Sequence, residues 1–254
     1  MTTLLLFGAA FLGGALNAVA GGGSFLTLPA LLSAGVGPVS ANATSTLAMW
    51  PGSLASALAY RREIFTARQW LVRLGAVSLV GGLLGGWLLI RTSDIRFLQL
   101  LPWLMLAAAI IFTIGGRLPA RGIRASERPV TRASEHPQPS VWMLLFQFVV
   151  ATYGGYFGGG MGIMMLASFS LVGMTEIHEM NGIKAVLAVF INGVALIEFI
   201  ASGTIAWRAG IVMVVGGIVG GYSGAFLARR IDARSVRAFV IAVAWTMTAY
   251  FFLR

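Results

Sequence analysis

Two glycine clusters hold most of the chemistry this chain can offer. They are Gly21-Gly22-Gly23-Ser24 and Gly158-Gly159-Gly160-Met161-Gly162, each set inside an apolar run. Glycine weakens a helix and leaves backbone amides open. A helix that restarts after such a break presents first-turn N–H groups with no intrahelical acceptor, and these attract anions. Gly22, Gly23, Ser24, Gly160 and Gly162 are therefore candidate anion contacts, Ser24 adding a hydroxyl. The competing reading is that the glycines only let helices approach closely.

A second polar set stands where the next apolar stretch begins. Asn42, Ser45 and Thr46 recur at i, i+3 and i+4 and share one helix face. The matching start in the second half reads Asn181-Gly182-Ile183-Lys184, and Lys184 is the only lysine of the chain. Beside hydrocarbon, a cation either faces a cavity or snorkels to the surface, here with Glu176 or Glu179 as partners. Asn42 is equally open to being a binding group or an N-cap. Glu198 is a candidate proton carrier, or an interfacial partner of Arg208. His178 with Glu176 and Glu179 has metal-ligand residue types, in what reads as a solvated loop.

The elements that must position these residues are membrane helices. Of the 254 residues, 58% are hydrophobic and 10% charged, against about 25% charged in soluble domains. Mean hydropathy is +0.87. Cysteine is absent, which excludes disulfides, thiol chemistry and Cys-ligated metal; no metal or cofactor is expected. The net charge of +10 comes from arginines between apolar runs, a pattern of topology and anionic-lipid contact rather than nucleic-acid binding. Met1-Thr2-Thr3 lacks the basic start of a signal peptide, so the first apolar run reads as retained structure. Enzyme motifs fail on inspection. Gly221-Tyr222-Ser223-Gly224 resembles the serine motif of rhomboid proteases, but those need a later histidine, and His136 and His178 both precede Ser223. No phosphate-loop lysine follows either glycine run. No catalytic residue is assigned.

The order of elements repeats. A first repeat, 1–115, holds a broken segment at 3–36 and spans at 41–60, 70–90 and 95–114. An Arg- and Pro-rich linker covers 116–140. A second repeat, 141–254, holds a broken segment at 141–173 and spans at 181–202, 208–228 and 235–253. The halves align at an offset of about 139 residues, which sets Gly21 on Gly160, Gly23 on Gly162 and Asn42 on Asn181.

Charge counting addresses whether the broken segments cross the bilayer or turn back. If they cross, the 18 cationic residues divide 11 to 7 between the faces. If they are re-entrant hairpins, Arg61, Arg62, Arg68, Arg73, the linker arginines, Lys184, Arg229, Arg230, Arg234 and Arg237 share one face, and the division is 14 to 4. The positive-inside rule favours the hairpins. The expected fold is an all-α polytopic membrane protein of two inverted repeats, each a re-entrant helical hairpin plus three transmembrane helices. The linker would be cytoplasmic and both termini periplasmic. Interrupted apolar segments at matching places in two halves point to a transporter's midplane site.

Three stretches carry a family resemblance: Gly21-Gly22-Gly23-Ser24-Phe25-Leu26-Thr27-Leu28-Pro29, Ala41-Asn42-Ala43-Thr44-Ser45 and Ala57-Leu58-Ala59-Tyr60-Arg61. They resemble the first half of the TauE/SafE family, with Gly158 to Gly162, Gly182 and Gly216 to Gly224 as the second-half counterpart. The resemblance implies a bacterial inner-membrane exporter of a small anion, such as sulfite or an organosulfonate like sulfoacetate. It implies lipid as surroundings, and a homo-oligomer would be compatible with it. The chain departs from the family pattern at Asn181-Gly182-Ile183-Lys184 and at Met161. A channel using the same tips as a filter is the rival class; it would show non-saturating flux.

Overall fold

The computed structural model describes residues 2–19, 22–115, 138–174, 176–227 and 233–253. Gly21, the five linker arginines, Arg229, Arg230 and Arg254 lie outside them. All regular structure among the described residues is helical. The first half forms α1 (Thr2–Val19), α2 (Ser24–Ser33), α3 (Pro38–Ala59), α4 (Arg61–Thr66), α5 (Arg68–Arg91) and α6 (Asp94–Gly115). The second half forms α7 (Val141–Tyr156), α8 (Met161–Leu171), α9 (Ile177–Ala201), α10 (Trp207–Leu227) and α11 (Ala233–Leu253).

Local chemistry sets the ends. Pro38 opens α3, where its missing N–H costs nothing. The Val39 amide in the first turn of α3 finds Asp94 Oδ1 at 3.0 Å. Ser140 caps α7 by accepting from the Met143 amide, and Glu176 caps α9 by accepting from the His178 and Glu179 amides. Between α7 and α8 the backbone passes through the left-handed region at Gly158 (φ 81°) and Gly160 (φ 83°). A side chain there would be strained, so this break needs its glycines.

Three helical stretches among the described residues are long and apolar enough to cross a membrane: Arg68–Arg91, Asp94–Ile111 and His178–Ala201. α3 has 22 residues, about 33 Å at 1.5 Å per residue. Its apolar character is diluted by Asn42, Thr44, Ser45 and Ser53, all of which are buried. A short helix, α4, fills part of the gap between the expected spans at 41–60 and 70–90. α1 has 18 residues, about 27 Å.

Each broken segment folds back on itself. Gly13 of α1 lies against the Gly23 carbonyl and Thr27, so α2 begins beside the middle of α1. Gly154 of α7 likewise meets Met161 at the start of α8. The halves then exchange partners. α1 packs along α10, and α7 packs along α5. α3 contacts both α9 and α10, α9 contacts α5, and α11 pairs with α6. Close approach at these seams depends on missing side chains. A Cβ at Gly85 would collide with the Thr152 carbonyl, and one at Gly220 with the Phe11 carbonyl. This is the small-residue packing expected of Gly81-Gly82, Gly85-Gly86, Gly216-Gly217 and Gly220-Gly221.

Bulky apolar groups such as Trp142, Val149, Trp103 and Tyr222 point outward, whereas Thr27, Asn42, Ser78 and Gln147 are buried. That distribution suits hydrocarbon surroundings, where polar groups must find partners inside the protein. Buried pairs do so: Gln147 donates to Ser78 Oγ at 2.8 Å between α7 and α5.

Candidate functional site

Helical spacing builds the site. Thr46, Met49, Ser53 and Ser56 line one stripe of α3, three and four residues apart, continued by Tyr60 just past its end, and Asn181, Lys184, Ala185, Ala188 and Asn192 line one stripe of α9. The two stripes face each other across a cavity of about 50 Å³, room for a few waters or one small ion. Both helix breaks reach it. Asn17 and Ser24 come from the first, and Gly158, Met161 and Gly162 from the second. Beyond the cavity, Trp50 Nε1 donates to the Val189 carbonyl at 3.1 Å and its ring lies over Gly193, which joins α3 to α9. Trp50→Phe would remove that bond at a cost of about 1 kcal/mol. The expected fall in melting temperature is about 2–4 °C for a chain of this size, measured in detergent.

The electrostatics are one-sided. Among the described residues lining the cavity, Lys184 is the one that is charged. Its Nζ donates to Asn181 Oδ1 at 2.8 Å, a neutral acceptor. Its stem runs over Gly162, where a Cβ would stand 3.2 Å from Lys184 Cδ. The glycine thus makes room for the lysine beside the start of α8. Glu176, considered as a partner for Lys184, instead caps α9. Among the described residues no carboxylate pairs with Lys184, so its positive charge is not cancelled within the cavity. The remaining polar lining is hydroxyl and amide groups.

The structure sorts the expected site residues into two groups. Ser24, Gly162, Asn181 and Lys184 meet at the cavity. Gly22, Gly23, Asn42, Ser45 and Gly160 stand behind it as framework. Gly22 and Gly23 supply carbonyls to the first turn of α2. Ser45 Oγ lies 2.6 Å from Thr27 Oγ1, tying α3 to α2. Asn42 Nδ2 donates to the Tyr156 carbonyl at 2.8 Å, tying α3 to the end of α7. Gly160 forms the left-handed N-cap of α8.

Two further bonds fasten the N-terminal half of α3 to the turn before α10. Ser40 Oγ donates to the Thr204 carbonyl at 2.6 Å, and the Ala206 amide donates to Thr44 Oγ1 at 3.0 Å. The cavity therefore lies toward the Tyr60 end of α3, and the Asn42 end is closed by direct bonding.

Glu198 is not at this site. It lies 14 residues beyond Lys184 on α9, about 21 Å along the helix. Its Oε2 is buried without a hydrogen-bond partner and faces the bare Cα of Gly86 on α5. No ion pair joins it to Arg208 among the described residues. His178 is exposed, with its ring 6.3 Å from that of Tyr60, and no group of three metal-ligating side chains assembles among the described residues. Ser223 bonds back to the Val219 carbonyl of its own helix.

Sequence reasoning passed over Asn17, Ser53, Ser56 and Tyr60. The α3 residues carried a usable signal, because polar or small groups at 46, 53, 56 and 60 recur with helical spacing. Asn17 carried none, standing alone in an apolar run.

The chain is similar throughout to known membrane proteins. A family model described as "Sulfite exporter TauE/SafE" matches residues 6–251. A "Probable membrane transporter protein" of Haemophilus influenzae is 29% identical over 253 residues, covering 96% of this chain and 92% of the relative. The "Probable membrane transporter protein YfcA" of Escherichia coli K12 is 27% identical over 250 residues, covering 96% and 87%. A Sinorhizobium "Probable membrane transporter protein ORF9" is 28% identical over 243 residues, covering 94% and 87%. No solved structure matches the chain.

Proposed function

Because this chain belongs to the Sulfite exporter TauE/SafE family, we propose that it is a secondary transporter of a small anion, working by alternating access in a bacterial inner membrane. Lys184 carries this reading: a lone cation with a neutral partner, facing a small polar cavity where both helix breaks converge. A low-dielectric site with one uncancelled positive charge attracts an anion of matching size. Sulfite or an organosulfonate is the proposed cargo, moving outward. Ser24, Gly162 and Asn181 would bind its oxygens beside Lys184. Gly22, Gly23, Asn42, Ser45 and Gly160 would hold those groups in place.

The exchange of packing partners between halves supports two inverted repeats with re-entrant hairpins. In that arrangement the arginine-rich face is cytoplasmic, and the cavity lies on the cytoplasmic side. The bonds from Ser40, Asn42 and Thr44 would then form the closed periplasmic gate. Purified protein in liposomes should take up labelled sulfite saturably and show counterflow. Flux without saturation would indicate a channel, and no flux of any anion would defeat the proposal. For topology, Ser33→Cys should label from the periplasm and Thr175→Cys from the cytoplasm; labelling of both from one face would exclude the inverted arrangement.

Glu198 is the proposed proton-coupling group, since a buried carboxylate oxygen without a partner is best tolerated when protonated. Glu198→Gln should abolish the response of uptake to an imposed pH gradient while leaving counterflow within about twofold of wild type. An unchanged gradient response would remove Glu198 from the mechanism.

A further inference from the structure

Resting on the anion reading of the Lys184 cavity, we infer that the site selects for charge as well as size: it takes monoanions and rejects dianions of the same shape. The first observation is the cation count. Among the described residues Lys184 is the single charged side chain in the lining, and its partner Asn181 brings no second charge.

The second observation is a position where another cation could have been placed. At the 139-residue offset between halves, the counterpart of Lys184 is Ser45. Ser45 is buried and turned onto Thr27 Oγ1 at 2.6 Å, away from the cavity. The counterpart of Asn192, which lines α9, is Ser53, which lines α3. The two faces are thus polar in register, yet only one is charged.

The third observation is the nature of the rest of the wall. Met49, Met161, Ala185 and Ala188 set apolar groups among the amides and hydroxyls of the wall. An anion with one ionised XO₃ face and one uncharged corner, whether a methyl or a protonated oxygen, suits such a wall. A protonated oxygen could donate to the side-chain carbonyl of Asn192. A dianion would bring a second charge out of water with no cation to meet it, and an unpaired charge in such surroundings is strongly disfavoured.

Within the proposed cargo class, this ranks hydrogen sulfite and simple monosulfonates above fully deprotonated sulfite, sulfate and sulfoacetate, which carries a carboxylate besides its sulfonate.

Methanesulfonate and sulfate form a near-isosteric test pair, differing by a methyl in place of a charged oxygen. Each would be titrated against the purified full-length chain, following the melting temperature and calorimetric Kd at constant ionic strength. Methanesulfonate should bind at least tenfold more tightly than sulfate. Sulfite should gain affinity relative to methanesulfonate as pH falls and SO₃²⁻ is protonated to hydrogen sulfite.

Sulfate or sulfoacetate binding as tightly as methanesulfonate would overturn the charge selection and leave the anion reading standing. Binding of neither class would overturn both. Thr46→Lys, which adds a second cation to the lining, should narrow the preference at least fivefold; an unchanged preference in the folded variant would count against the inference. If that variant does not fold, the ranking on the wild-type protein alone decides.

Discussion

Lys184→Gln should weaken anion binding by about 2–5 kcal/mol, the usual cost of removing one partner from a desolvated charge pair. That is roughly 30- to 4,000-fold in Kd. The reason lies in the cavity's composition. Asn181, Asn192, Ser53 and Thr46 can orient an anion through hydrogen bonds, but among the described lining residues Lys184 alone supplies charge. Glutamine keeps the length and a donor, so loss of binding would report charge rather than shape. Lys184→Arg should retain part of the affinity, because charge is kept while a planar fork must pass over Gly162, where space is limited to the lysine stem. The ligand-free melting temperature of Lys184→Gln should stay level or rise, since a charge without an ionic partner is costly to hold beside the interior. Calorimetry and saturable flux would be measured together. A Kd within threefold of wild type would show that Lys184 does not bind the anion.

Gly85→Leu should have the largest effect on folding. The Cβ alone would collide with the Thr152 carbonyl, and the adjoining backbone of Gly155 and Tyr156 leaves no side chain that can swing aside. Overpacking usually costs about 1–3 kcal/mol, sometimes more, and the obstacle here is main chain, so the upper end is expected. For a chain of this length, about 3 kcal/mol corresponds to a fall of roughly 6–12 °C in melting temperature. Gly8→Ala is the matched control: nothing lies within 4 Å of a Cβ at that position, so it should melt within about 1 °C of wild type. Because α7 leads into the glycine break before α8, a displaced α7 should also reduce flux. A Gly85→Leu protein as stable as wild type would mean that the α5–α7 seam does not depend on close backbone approach at Gly85.

The distribution of hydropathy by itself determined that this is a helical membrane chain, and the breaks at Gly22-Gly23 and Gly158 to Gly160 were legible because glycine acts locally on backbone conformation. The glycine seams of α5 and α10 were legible for a related reason, since four-residue spacing places small residues on one face. α4 was not, because six residues rich in charge carry too little periodicity to distinguish a helix from a loop.

Tertiary structure decided which polar residues share a space. Asn42 and Asn181 occupy equivalent places in the two halves and looked interchangeable. The fold sends Asn42 to the Tyr156 carbonyl, and leaves Asn181 in the cavity accepting from Lys184. Ser45 and Lys184 separate in the same way. Helical periodicity states which residues share a face of one helix; it does not state which other helix that face will meet. That depended on α3 crossing α9 at Trp50 and on Gly162 leaving room for the lysine stem. These are contacts between residues more than a hundred positions apart in one case and about twenty in the other, which no local pattern encodes.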